Sequence, residues 1–310
     1  MKPIKSQPTS SWKGFWTCLS VILPLSLVFF LSKPDKPAAH ATLAVEDVRW
    51  QSMQRALDEV VGSYAGEVGV YIKDLRTGKT IEKNSDEQFV TASLIKLPIM
   101  AAAFQAISEN KLSLNSSIQL RRSHIRGGSG SLKWCRIGRR FLVSHLLYRM
   151  VTESDNTAAQ IFIDKLGYDA LNQSFSNFGL SVTRIQPSGM LLTNAMDPAL
   201  DNHTTPREMG MLLEKIYKHK LVNDGYCDLM IEIMKHAEGP SRLAKFLPKK
   251  WSLARKGGLL RKNCHDVGII FTPNNDYIVC VMTGNNETYK KAKGLIAKVG
   301  QTLYPFMGHS

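Results

Sequence analysis

No two cysteines in this 310-residue sequence stand at a common zinc-ligand spacing, so no bound metal is expected, and no cofactor motif is found beside them. No segment repeats with a period of about 20–50 residues, which excludes solenoids and propellers. Low-complexity stretches are absent outside the termini, and the length allows one large core or two smaller ones. Acidic residues are in deficit, 26 against 40 basic, for a net charge of +14. No nucleic-acid-binding motif accompanies that excess and the basic residues read as scattered, which argues against a nucleic-acid partner. Solubility and attraction to an anionic envelope account for it.

The N-terminus carries Lys2, Lys5 and Lys13, then an uncharged apolar run from Phe15 to Leu31, then Ala39-His40-Ala41. A positive flank, an apolar block and a small-x-small site make a secretory signal with cleavage after Ala41. The run also approaches the length of about 17–25 residues that an anchor helix needs, so residues 15–32 as a membrane anchor is the alternative. Both readings place the body outside the cytoplasm, with membrane contact only through this segment. Cys18 lacks a convincing lipobox. Beyond residue 41 the chain keeps Cys135, Cys227, Cys264 and Cys280, which allow up to two disulfides in three pairings.

Periodicity organises the rest. Met53, Ala56, Leu57 and Val60 make the apolar stripe of a helix over 47–62. Val68, Val70 and Ile72 alternate as in a strand, and Arg76-Thr77-Gly78-Lys79 turns the chain into a second strand near Thr80–Lys83. From about residue 110 to 235 the pattern is helical. Thr205-Pro206-Arg207-Glu208 predicts a helix start with a capping box. Trp251–Lys256, Val267–Phe271 and Tyr277–Thr283 read as strands, and a last helix runs from about Glu287 to Leu303. Strands early and late with helices between predict an α/β fold, an α+β sandwich. Its antiparallel sheet draws on both chain ends (45–92 plus 236–310), flanked by helices, and an all-helical lobe (93–235) is inserted. The seam between the lobes is a natural cleft, and Ser93 falls on it.

Ser93 and Lys96 stand three apart at the start of a helix, on one face and one turn apart. A neutral Lys96 would accept the hydroxyl proton of Ser93 and make it a nucleophile. Alone, the pair is more often a capped helix with a surface lysine. Gly127-Gly128-Ser129-Gly130-Ser131 does not fit a G-x-S-x-G elbow, so Ser129 is a weak rival. Two further motifs decide the matter: Ser154-Asp155-Asn156 between two helices, and Lys256-Gly257-Gly258 at a strand end. The ordered set S-x-x-K, S-D-N and K-T/S-G marks class A β-lactamases and penicillin-binding proteins. The sequence resembles that superfamily, and its class A branch most closely, over nearly all of residues 45–305. Thr204-Thr205-Pro206 and Asp266-Val267-Gly268 belong to the likeness.

The resemblance implies a serine β-lactamase/transpeptidase-like fold in a bacterial periplasmic or secreted protein, a monomer, acting on a β-lactam or cell-wall peptide. It implies Ser93 as the acylated nucleophile and Lys96 as its base or the partner of one. Ser154 would pass a proton to the leaving nitrogen, and Asn156 would hold Lys96 or the acyl side chain. Lys256 would face the substrate carboxylate, with Gly258 beside it. The backbone N–H groups of Ser93 and Leu259 would form the oxyanion hole. Arg242 matches a position where some relatives carry a carboxylate-binding guanidinium, and a rim arginine is the alternative. Asp155 would fix the loop.

Two departures accompany the likeness. In class A enzymes an R-x-E-P run supplies the glutamate that activates the releasing water; here it is Arg184-Ile185-Gln186-Pro187, and Met190 replaces the asparagine that shares that water. Glutamine cannot accept the proton, so acylation would proceed while release is impaired. Asp201 is the candidate to close the neck of the loop. The middle of K-T-G is Gly257, which removes a hydroxyl. Three readings follow: a class A type hydrolase working through acyl-Ser93, a penicillin-binding D,D-peptidase-like protein, and a non-hydrolytic sensor of β-lactams or wall peptides.

Overall fold

The computed structural model describes residues 37–190 and 200–307. The expected signal or anchor over residues 1–41 lies almost wholly outside the described residues. Among those described, no helix is long and apolar enough to cross a membrane. The chain separates into two units, Met1–Ala44 and Val45–Ser310; the fold and the site belong to the second.

Its strands are β1 (Glu67–Asp74), β2 (Thr80–Lys83), β3 (Phe89–Val90), β4 (Ser117–Gln119), β5 (Arg140–Leu142), β6 (His203–Thr204), β7 (Ser252–Leu260), β8 (Asn263–Phe271) and β9 (Asp276–Gly284). Five of them form one antiparallel sheet in the order β2-β1-β9-β8-β7. The two early strands and three late ones thus join through β1 and β9, which pair from Glu67↔Gly284 to Asp74↔Tyr277. Side-chain alternation sorts β9 cleanly. Ile278, Cys280 and Met282 enter one core cluster, while Tyr277, Val279 and Val281 enter the other. A strand buried on both faces reads as a continuous apolar run, and β9 does.

The helices are α1 (Pro37–Gly62), α2 (Lys96–Ser108), α3 (Val143–Thr152), α4 (Asn156–Leu166), α5 (Tyr168–Asn177), α6 (Pro206–Tyr217), α7 (Asp224–Lys235) and α8 (Tyr289–Leu303). Met53 and Leu57 of α1 and Ile296 and Val299 of α8 cover one face of the sheet. The inner cluster gathers Phe104, Phe162, Met209 and Met230 from α2, α4, α6 and α7 against Val267 and Ile269. The intervening segment is not purely helical. β4 and β5 form a ribbon with Ile118 opposite Phe141, and β3 pairs with β6. Strands of two or three residues are too short for alternation to reveal.

The capping box at α6 is half made. Thr205 Oγ1 accepts from Glu208 N at 3.1 Å, but the Glu208 carboxylate turns away and accepts from Val182 N and Thr183 N, each at 2.7 Å. A buried carboxylate takes the donors that a loop offers it, and this one holds residues 181–183. No disulfide is formed among the described residues: Cys135, Cys227, Cys264 and Cys280 are all free. Cys264 and Cys280 belong to clusters on opposite faces of the sheet, so their Cβ vectors diverge.

Candidate active site

The turn that carries Ser93 is shaped by backbone before any side chain acts. Ala92 has φ +46°, and a 3-10 turn over Ala92–Ile95 carries Ser93 just ahead of α2, whose first residue is Lys96. Thr91 N donates to Asn202 O at 2.7 Å, and Leu94 N closes the turn on Thr91 O. A positive φ at a residue with a Cβ costs energy, and surrounding contacts must hold it. One comes from β7. A Cβ on Gly258 would lie 3.2 Å from Ala92 Cβ and 3.3 Å from Thr91 O. Glycine is what lets β7 approach, bringing Leu259 to the rim. His265 braces the same turn from beneath: its Nε2–H donates to Val90 O at 2.8 Å, while Nδ1 accepts from Thr283 N.

Lys96 is fully buried. Its Nζ lies 2.9 Å from Ser93 Oγ, 3.1 Å from Ser154 Oγ, 2.7 Å from Ser154 O and 2.6 Å from Asn156 Oδ1. Burial, and then the nearby Lys256 charge, push its pKa well below the usual lysine range, with Asp155 opposing weakly. A neutral amine keeps a lone pair, and the hydroxyl of Ser93 is within reach of it.

Ser154 has φ +55°, which turns its side chain back towards the cleft. Its Oγ sits between two amines, Lys96 and Lys256, the latter at 2.9 Å. The next residue holds the loop: Asp155 Oδ1 caps α4 through Ala158 N, and Oδ2 accepts from Leu132 N, both at 2.8 Å. A Cβ on Gly130, at φ +94°, would overlap that carboxyl group. Asn156 divides its amide between Lys96 and Gly127 O, the second at 2.8 Å.

The far wall is cationic. Lys256 is buried and its pKa falls to about 7, because of burial first and the charges of Arg255 and Arg242 next. Arg255 donates to the carbonyls of Ala237, Glu238 and Gly239, fixing the loop after α7. Arg242 lines the cleft; its Nη1 lies 3.3 Å from His265 O, and its buried Nε has no partner among the described residues. A Cβ on Gly257 would stand 2.8 Å from Arg242 Nη1. The guanidinium tip of Arg242 thus lies against the position where this run lacks a side chain. Asp266 Oδ2, wholly buried, seats Arg242 by accepting its backbone N–H at 2.9 Å. The cleft has about 1040 Å³ and includes Ser93, Ser154, Lys256, Gly258 and Leu259, large enough for a small-molecule substrate.

Gln186 is not among the described residues that line this cleft. A cavity of about 120 Å³ on the other side of Ser93 is lined by Asn156, Gly189, Met190, Asp201 and Asn202, and Gln186 is not among its described lining residues. The neck of the loop is closed by Asn202, which the sequence reading passed over for Asp201. Asn202 Oδ1 accepts from Gln186 N at 2.7 Å, and its Nδ2 donates to Gly189 O at 2.9 Å. An amide can do both, and a carboxylate cannot. Asp201 instead pairs with Arg261 at 2.6 Å, and its other oxygen accepts from Asn202 N at 2.9 Å. Asn202 stands two residues before the Thr204-Thr205-Pro206 run, and its distance from that run was the available signal. Asp197, a further carboxylate of this loop, lies outside the described residues.

Comparison with known proteins gives the same picture. The profile of the "Beta-lactamase enzyme family" matches residues 52–307. The β-lactamase VEB-1 of Pseudomonas aeruginosa is 23% identical over 283 residues, covering 86% of this chain and 93% of its own. Among solved structures, a β-lactamase from Sphaerobacter thermophilus superposes with TM-score 0.77 at 25% identity, covering 83% of this chain and 97% of that one. PBP-A superposes with TM-score 0.75 at 26% identity, covering 82% and 94%. A mutant of PBP-A has been solved as its acyl-enzyme complex with penicillin G.

Proposed function

The chain belongs to the beta-lactamase enzyme family, and from that premise we propose that this serine hydrolase opens β-lactam amides through acyl-Ser93 and releases the product slowly. The observation that carries the proposal is Lys96, a buried amine of depressed pKa 2.9 Å from Ser93 Oγ. Ser93 Oγ attacks the lactam carbonyl as its proton passes to Lys96 Nζ. The backbone N–H groups of Ser93 and Leu259 receive the oxyanion. Ser154, between Lys96 and Lys256, delivers a proton to the ring nitrogen as the C–N bond breaks, and Lys96 replenishes it. Lys256 and Arg242 take the substrate carboxylate, and Asn156 orients Lys96 and the acyl chain.

Release needs a water activated by a base. Gln186, in the position that the family resemblance gives to glutamate, cannot accept its proton. Asp201 borders the cavity beside Ser93, but both its oxygens already hold donors, from Arg261 and from Asn202 N. The same observation favours a second reading, a penicillin-binding D,D-peptidase-like protein whose acyl-enzyme persists. A non-hydrolytic sensor is the third, and the intact Ser93–Lys96–Ser154 set weighs against it.

Rapid mixing with a chromogenic cephalosporin tests the proposal. A burst of one equivalent followed by slow turnover is expected. A burst alone supports the peptidase-like reading, and no acylation at all supports the sensor. Ser93→Ala should abolish covalent labelling by a reporter penicillin, seen as intact mass; labelling that survives removes Ser93 from its role. We further read residues 1–41 as the segment that exports or anchors the protein, and the 45–92 plus 236–310 and 93–235 portions as two lobes meeting at this site in a monomer.

A further inference from the structure

The basic excess is not spread along the chain. From Asn110 to Thr152 there is no aspartate or glutamate, and nine lysines and arginines fall in that stretch. Five lysines and one aspartate precede residue 42, which leaves +10 for the remainder (14 − 4), and this one segment supplies +9 of it. The fold makes it a surface. The β4–β5 ribbon closes its ends through Leu120 N to Arg139 O and Gly138 N to Leu120 O, at 2.8 and 2.9 Å. Residues 121–137 are thereby drawn into a loop that borders the active site, where Gly127 O and Ser129 O accept from Asn156.

On that loop and the start of the ribbon strand that follows it, Arg121, Arg122, Arg136, Arg139 and Arg140 are exposed, and none has an acidic partner in an ion pair among the described residues. Amid them stands Trp134, 82% exposed, with Ile137 and Leu142 also exposed and Lys133 Nζ lying 5.3 Å from the indole centroid. The tryptophan is held out by structure. Leu132 is wholly buried, its N–H is fixed by Asp155, and Trp134 N donates back to Ser131 O. An outward indole with a lysine ammonium beside it, on a loop and strand that carry exposed arginines, is the chemistry of a membrane–water interface. The ring sits at headgroup depth and the cations meet anionic lipid. The uncharged run Phe15–Leu31 in the same sequence is consistent with a life at a membrane.

We propose that the face built by residues 110–152 docks on an anionic bilayer surface and holds the Ser93 cleft beside it. A soluble polyanion would be matched by the charge but would give no reason for the exposed indole and its apolar neighbours, so the bilayer is the better-fitting occupant.

The test is partitioning of the full chain onto vesicles of phosphatidylcholine alone and of phosphatidylcholine with phosphatidylglycerol. The wild type should bind the anionic vesicles more tightly, and the difference should shrink with salt. The triple variant Arg121→Gln/Arg122→Gln/Arg136→Gln should lose about 100-fold on anionic vesicles, at about 1 kcal/mol for each charge. It should bind neutral vesicles as the wild type does, which separates this face from insertion of the N-terminal run. Circular dichroism and melting temperature report that the variant is folded. Brominated lipid should quench the emission that Trp134→Phe removes. Equal binding of variant and wild type to anionic vesicles, or unquenched Trp134 emission on them, overturns the proposal. So does binding to heparin or polyphosphate without binding to the vesicles, which would make the occupant a soluble polyanion.

Discussion

Lys256 should set the upper pH limit of acylation. Its pKa of about 7 leaves it charged below neutrality and increasingly neutral above, while an anionic substrate needs the charge. Lys96 behaves oppositely, because it must be neutral to take the Ser93 proton, and burial pushes its pKa well below the usual lysine range. Acylation by a carboxylate-bearing β-lactam should therefore follow a bell, with its alkaline limb falling up to about tenfold per pH unit. Lys256→Arg should move that limb beyond the measurable range, and an unmoved limb in a stopped-flow series would assign it to another group. A second residue-scale expectation concerns release. Gln186→Glu should speed deacylation by about 10²–10⁴-fold if a base at that position is what is lacking. Persistence of the acyl-enzyme by mass spectrometry would show that the loop, tied through Asn202, does not deliver residue 186 to the water.

At the scale of elements, α8 lies across the turn that seats Arg242. Gly300 faces Leu243 so closely that an added Cβ would overlap the Leu243 carbonyl. Leu243 N is one of the groups bound to Asp266 Oδ2. Gly300→Ala should therefore cost about 1–3 kcal/mol of stability and also weaken acylation by anionic substrates, through displacement of Arg242. Urea denaturation reads the first effect and the dependence of acylation on substrate concentration the second. A variant as stable as the wild type would mean that α8 shifts without strain. Helices and strands of this size were legible in the sequence because alternation and the 3.6-residue stripe are local. The ribbons were not, and neither was the destination of Glu208, whose partners at residues 181–183 lie over twenty positions away in the chain.

For the whole molecule, His265 joins the turn that carries Ser93 to the sheet. Its pKa of about 4, lowered by burial against an ordinary 6.5, means that the folded state keeps it neutral while the unfolded chain takes up a proton. Stability linked to this group is full above about pH 6.5, falls as pH drops towards 4, and changes no further below. The shift corresponds to about 3 kcal/mol. The urea midpoint should drop between pH 7 and about 4.5, and His265→Gln should reduce that drop even if it starts less stable. An undiminished drop would assign acid sensitivity to carboxylates alone.

The chemistry-bearing residues and their spacing were determined by the sequence: Ser93 and Lys96 one helical turn apart, Ser154 and Asn156 flanking a helix start, Lys256 at a strand end, Gln186 without a proton-accepting oxygen. The five-stranded sheet followed from apolar alternation at both chain ends. The tertiary structure decided the state of these groups. Lys96 has a depressed pKa because it is buried beside a second amine. Arg242 lines the cleft with its guanidinium tip against Gly257. Asn202 rather than Asp201 ties the loop, because only an amide both donates and accepts there. Periodicity is fixed between near neighbours in sequence, whereas a pKa or a choice of partner depends on what the fold brings close from far along the chain.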